Sequence, residues 1–171
     1  MSIADRLFET LDRLSPPSIV HAHCDIPCGI YDPHAAQIAA LTVVRMVQLI
    51  EALPQADAAD KAATAVYGAQ LSRYVAVKEE HAKIAEHELV VLWTDYFKPE
   101  HLEKYPTLHD VFWKATKLTS TVKQTTSAQS AADLLAAVQE VAEIFWDSKG
   151  VKTRRGPSNQ AVGGELVYVA A

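Results

Sequence analysis

Apolar side chains recur along this chain at the spacing of an α-helix, with no convincing strand alternation beside them. Residues 1–14 set Ile3, Leu7, Leu11 and Leu14 on one side and Asp5, Glu9 and Asp12 elsewhere, before Ser15, Pro16 and Pro17 break the pattern. A stronger start falls at Asp32 and Pro33, an N-cap followed by a first-turn proline. From there Ile38, Leu41, Val44 or Arg45, Gln48 or Leu49 and Leu53 predict a helix over about residues 33–52, stopped by Pro54. A long helix should run from Asp57 or Asp60 to Tyr96, burying Ala62, Val66, Tyr67, Leu71, Tyr74, Val77, Ile84, Leu89, Leu92 and Trp93.

Beyond a proline-bounded connection at residues 98–106, Thr107 is placed to cap a third helix ending near Gln124. Its apolar face is Leu108, Val111, Phe112, Ala115 and Leu118 or Thr119. Ser127 or Ser130 opens a fourth through Leu134, Leu135, Val138, Val141, Ala142 and Phe145 to about Ser148. Four helices joined by short connections predict an all-α chain folded as an antiparallel four-helix bundle over residues 34–148. The tail, residues 149–171, differs: Lys152, Thr153, Arg154 and Arg155 read as solvated, and Leu166 to Val169 is too short an apolar run for a helix. Disorder or loose docking is the expectation, with an extended arm on a neighbouring subunit as the alternative.

A chain of 171 residues, 49% apolar and 22% charged, suits one domain with a real core. The formal charge is −5, and residues 1–22, with two basic and three acidic side chains, leave the remainder at −4. Nothing in that balance calls for nucleic acid, so attraction for an anion must come from local lysines. No apolar run is long enough to span a bilayer. Residues 1–14 also lack the basic start and apolar core of a secretory signal, so residues 1–22 read as an intracellular leader and the protein as cytoplasmic.

Both cysteines of the chain lie within residues 23–33 (HCDIPCGIYDP). Were the chain cut between Ala22 and His23, the freed amine and the Cys24 amide nitrogen would form one five-membered chelate ring, and that nitrogen and the Cys24 sulfur a second. Cys28 adds another thiolate once the chain reverses, which Pro27 and Gly29 permit. The His23 ring nitrogen can then close a six-membered ring as an axial donor. Planar nitrogen and sulfur donation selects nickel or copper over tetrahedral zinc, and such electron-rich ligands bring a Ni(III)/Ni(II) couple within reach. Plainer readings are an intracellular thiol pair, a disulfide or half of a zinc site, although no second ligand pair follows downstream.

These eleven residues resemble the nickel hook of nickel-containing superoxide dismutases. A second block, residues 93–99 (WTDYFKP) with Glu103 to Pro106, and a third, Ile144 to Trp146, are also similar to that family, so the likeness covers about residues 23–149. The resemblance implies a leader removed by a protease after Ala22, one nickel held by His23, Cys24 and Cys28, and a homohexamer that covers each hook. It also implies that two superoxide anions and two protons become dioxygen and hydrogen peroxide, with Asp25 and Tyr31 ordering the approach. If residues 1–22 instead stay as a permanent first helix, His23 keeps an amide and the site cannot form.

Tyr31 and Tyr96 can order water with their phenols and narrow the approach with their rings, while Lys98 supplies local positive charge. Trp93 and Phe97 read as core. At the two positions where the family holds the axial imidazole with an acid and an arginine, this chain has Ala39 and His81. His81 either replaces part of that support or is a satisfied core histidine. His87, His101 and His109 read as surface residues. Glu79, Glu80, Glu86 and Glu88 read as a solvated helical face, and the absence of Glu-x-x-His from that helix disfavours a di-iron bundle. A different class stays open beside the enzyme, a protein that stores or delivers nickel without turnover.

Overall fold

The computed structural model describes residues 28–170. The leader and His23, Cys24 and Asp25 of the hook lie outside the described residues. The chain is predominantly helical. Four long helices, α1 (His34–Glu51), α2 (Lys61–Val91), α4 (Leu108–Gln124) and α5 (Ala128–Ser148), are joined by a single turn α3 (His101–Lys104) and followed by strands β1 (Thr153–Pro157) and β2 (Glu165–Val169). Helix α1 packs on α2 and α5, and α4 packs on the same two, so the long helices close a cycle of neighbours around one core.

Helix α1 starts one residue later than expected, with Pro33 in place of Asp32 as its cap residue, and the Asp32 carboxylate accepts from the His34 amide at 2.7 Å just ahead of it. Its buried face is mostly small: Ala36, Ala39, Ala40 and Val43 are at most 2% exposed. Side chains of that size let the neighbouring helices approach closely. Asp60 caps α2 through the Ala62 and Ala63 amides, and Ser127 caps α5 through Ser130, whereas the Thr107 side chain makes no cap to α4. The α4 amide ladder starts on the Thr107 carbonyl instead, with Val111 donating at 3.0 Å.

The expected stripe of α2 is corrected as far along the helix as Ile84. Val66 is 66% exposed, and Ala62, Val77 and Ile84 also face outward. The buried residues are Lys78, Ala82, Ala85, Leu89 and Val91. One reason is length: at 1.5 Å per residue α2 runs for about 46 Å and α1 for about 27 Å, so α1 cannot cover the whole of α2.

The other reason is Lys78, whose charge disguises a buried position. Its ammonium, on a side chain 1% exposed, donates to the carbonyls of Val122, Lys123 and Thr125. It thereby satisfies acceptors that the end of α4 cannot pair within its own helix. Burial pulls the Lys78 ammonium below the ordinary lysine value, with Glu79 acting weakly against that. The unfolded chain therefore holds this proton to higher pH, and the net contribution of Lys78 to stability rises through the alkaline window below 10.5. Lys78→Met leaves three carbonyls without their donor. It is expected to lower the unfolding free energy at neutral pH by about 2–3 kcal/mol, read from the urea midpoint.

The tail corrects a second expectation: it is ordered, and it adds two strands to the helical frame. β1 and β2 pair antiparallel with Thr153 opposite Val169 and Gly156 opposite Leu166. The connecting turn uses Gly163 and Gly164 at positive φ, a conformation open to glycine at little cost. Leu166 and Val167 are 2% and 3% exposed, and Leu166 joins the core made by the helices. The docking is specific. Gln37 of α1 donates its amide to the Val167 carbonyl at 3.2 Å and accepts from the Val167 amide at 2.7 Å. Gln139 of α5 donates to the Glu165 carbonyl at 2.6 Å, and Arg155 forms a two-pronged bond to the Glu143 carboxylate.

Candidate metal centre

The described chain enters the site at Cys28, which is exposed and followed by Gly29 at φ +72°. That backbone conformation is disfavoured for other residue types, so Gly29 lets the chain turn directly after the thiol. Ile30 is 75% exposed, and Tyr31 is the first side chain of the segment to pack against the core. An open cleft of about 530 Å³ lies beside it, lined by Gly29, Tyr31, Tyr96 and His101, by the cations Lys98 and Lys149 and by the carboxylates Asp95 and Glu100. The structure thus brings together Tyr31, Tyr96 and Lys98, three of the residues singled out from sequence, next to the backbone that carries Cys28.

Tyr96 owes its place to an irregular turn. Residues Leu92–Tyr96 form a π-helical turn in which the Phe97 amide reaches back five residues to the Leu92 carbonyl. The sequence pattern had predicted one regular helix through Tyr96. The widened turn takes up an additional residue and changes the direction in which Tyr96 leaves the helix, a device common at functional sites. Its ring meets Tyr31 at 5.6 Å, Phe97 at 4.9 Å, His101 at 5.7 Å and Phe145 at 4.6 Å. Its hydroxyl lies 2.7 Å from Ser148 Oγ.

His101 and Lys149 were missed as site residues. His101 is only partly exposed and accepts the Lys98 amide proton on Nδ1 at 2.9 Å, so its neutral ring carries the proton on Nε2. Lys149 holds its ammonium over Phe145 at 4.6 Å, Tyr96 at 5.4 Å and Trp146 at 5.7 Å, within range of cation–π attraction. Lysine at a helix end carries no signal of a site; only the return of α5 to the cleft gives it one. Near them, Lys104 pairs with Asp147 at 2.8 Å while Tyr105 donates to the same carboxylate, tying the turn α3 to the end of α5. The hydrogen bond from Lys104 holds the Asp147 carboxyl below its ordinary value, so this tie is present above the carboxylate range and is lost as the pH falls through it.

Trp93 and Phe97 take the structural roles expected of them. Trp93 stacks on Phe112 at 5.7 Å and donates from Nε1 to His109 Nδ1 at 2.9 Å, and Phe97 is 7% exposed. Ala39 is buried in the small-residue seam. His81, partly buried, places Nδ1 2.9 Å from the Val77 carbonyl of its own helix and therefore donates to it. Its neutral ring then keeps a lone pair on Nε2.

Among the described residues no three His, Cys, Asp or Glu side chains converge as a metal site. Of the three proposed ligands only Cys28 is described, and its exposed thiol, followed by a reversing glycine, fits a soft donor at the end of a wrapping strand.

The family described as nickel-containing superoxide dismutase matches residues 18–149. The superoxide dismutase [Ni] of Streptomyces seoulensis is 39% identical over 140 residues, covering 81% of this chain and 98% of the relative. That of Streptomyces coelicolor is 37% identical over the same shares. A native nickel superoxide dismutase structure superposes with a TM-score of 0.61 at 34% identity, covering 74% of this chain and 99% of that one. A structure with nickel ligation of the oxidised state gives 0.64 at 36% identity, covering 75% and 99%. Fold and matches together define a helical, metal-dependent oxidoreductase. More particularly, the chain belongs to the nickel-containing superoxide dismutase family. The hairpin β1–β2 lies beyond the residues the family matches.

Proposed function

We propose that the chain, once residues 1–22 are removed by a protease, holds one nickel ion through His23, Cys24 and Cys28 and disproportionates superoxide in the cleft beside Tyr31. The observation that carries this reading is the family match across residues 18–149, which includes the hook and its two cysteines. The family makes the chain an oxidoreductase with nickel as its cofactor and superoxide as its substrate. The nickel supplies a one-electron couple through which one superoxide is oxidised to dioxygen and a second, with two protons, is reduced to hydrogen peroxide.

The chain's own residues bind and orient. Lys98 lends positive charge to a protein that is negative overall, and Lys149 lies on the same cleft. Tyr31 and Asp25 order the approach, and the Tyr96 ring narrows it. The four long helices are read as an antiparallel four-helix bundle carrying the hook at its N-terminal end, supported by their closed cycle of contacts. A homohexamer in which a neighbouring subunit covers each hook accounts for the exposure of Cys28 and Ile30 on the single chain. No helix among the described residues is long and apolar enough to cross a membrane, and the cytoplasm is the proposed compartment.

The test is a chain beginning at His23, loaded with nickel and mixed with superoxide. A rhombic Ni(III) resonance that disappears on mixing, together with rapid loss of superoxide, is expected. Tight nickel binding without superoxide loss would replace the enzyme by a nickel carrier. Charge at the cleft has its own signature: Lys98→Gln should lower kcat/KM about threefold to tenfold at low ionic strength and flatten its dependence on salt. An unchanged salt profile would remove Lys98 from the approach path.

A further inference from the structure

We propose that Ser148 is the positioning residue of Tyr96. It accepts the phenol's hydrogen bond and holds the ring as a fixed wall of the cleft, so that Tyr96 does not donate to the substrate. This assignment rests on the reading of the cleft as the superoxide approach.

The direction of the hydrogen bonds follows from counting protons. Ser148 Oγ lies 2.6 Å from the Phe145 carbonyl oxygen and 2.7 Å from Tyr96 Oη. A carbonyl only accepts, and a serine hydroxyl has one proton to give. Two oxygens at 2.6 Å with no proton between them would oppose their lone pairs, so the serine proton points to Phe145. The remaining contact can then be made in one way, with Tyr96 donating to Ser148. The chain of bonds runs from Tyr96 through Ser148 to Phe145 and stops at a carbonyl that has no proton to return. In this arrangement the Tyr96 phenol cannot also donate to an anion in the cleft.

The surroundings keep the arrangement in place. The π-helical turn Leu92–Tyr96 sets the origin of the side chain, and Phe145 and Phe97 confine the ring at 4.6 Å and 4.9 Å. The same turn of α5 that supplies Ser148 supplies Lys149, 5.4 Å from the Tyr96 ring centre. Bonding of a serine to a carbonyl one turn back is common near helix ends and by itself implies no function. What separates the two roles is the second bond, across 52 residues, from the wall of the cleft to that serine.

The test reads the bond before it reads the enzyme. The Fermi doublet of tyrosine in ultraviolet resonance Raman spectra reports whether a phenol donates or accepts, and the difference between wild type and Y96F isolates the Tyr96 contribution. A strong donor signature is expected, weakened in S148A and retained in S148T, with nickel content unchanged in all three. Turnover should follow: S148A lowers kcat/KM about tenfold and S148T recovers most of it. The double variant S148A/Y96F should be no worse than the poorer single variant, because both changes remove one interaction. A Tyr96 doublet that does not respond to S148A, or losses that add in the double variant, would overturn the assignment. Absence of superoxide loss in wild type would instead refute the cleft reading, while the Raman signature would still report the bond.

Discussion

A chain that keeps residues 1–22 is expected to bind nickel weakly and leave superoxide at its uncatalysed rate, whereas the same chain cut after Ala22 consumes it. In the uncut chain the His23 nitrogen is an amide whose lone pair is delocalised into a carbonyl, and the first chelate ring has no amine donor. Cys24 and Cys28 alone leave a pair of thiolates, a set that zinc accepts as readily as nickel. One added alanine between the cut and His23 should be nearly as damaging as the whole leader, since it removes the amine from its five-membered ring. Cys28→Ser should also bring activity to background by removing a soft donor. Nickel content per chain, the N-terminal residue and superoxide decay settle the matter together. Full activity in a chain that begins anywhere but His23 would defeat the chelate.

Truncation after Val151 is expected to have the largest effect on stability. The hairpin buries Leu166 and Val167, and each buried aliphatic side chain contributes about 1.5–3 kcal/mol. Its loss also removes the two hydrogen bonds between Gln37 and the Val167 backbone, each contributing about 0.5–1.5 kcal/mol net. A loss of about 5 kcal/mol would be much of what holds a domain of this size together. The truncated chain should unfold at a markedly lower urea concentration, and Leu166→Ala alone should cost about 2–4 kcal/mol. Coincident unfolding curves for the full and truncated chains would mean that the hairpin only rests on the helices.

The hairpin and the long helix show where reading the chain succeeded and where it stopped. Helix starts were legible to within a turn, at Asp57 or Asp60 and at Ser127 or Ser130, because a cap is a bond to an amide two or three residues away; the structure chose Asp60 and Ser127, and began α1 at Pro33, one residue after Asp32. The core faces of α4 and α5 were legible because each follows one period against neighbours along its length, whereas on α1 only Leu41 of the expected face is buried: Ile38 is 38% exposed and the seam is made by Ala36, Ala39, Ala40 and Val43, whose small side chains give a weak apolar signal. The stripe of α2 was misplaced because Lys78 looks like a surface residue until the carbonyls ending α4 are set beside it. The hairpin was unreadable because its seat is made by Gln37 and Gln139, polar residues that give no sign of waiting for a backbone more than a hundred and about twenty-six residues away, respectively.

The site divides in the same way. The proposed hook could be named from eleven consecutive residues, since the rings assigned to it are closed by bonds between neighbours, and those residues fall within the stretch that the family matches. Tyr31, Tyr96 and Lys98 could be named, but their meeting on one cleft, with Lys149 and Ser148 joining from α5, depended on how the helices close. The sequence by itself determined which donor types the proposed hook offers and the helical periods of α4 and α5, because both are properties of short covalent spacing. Only the tertiary structure decided the π-helical turn, the direction of the Tyr96 proton and the docking of the tail. Each of these is a contest among partners distant along the chain, won by whichever packing leaves the fewest buried polar groups unpaired.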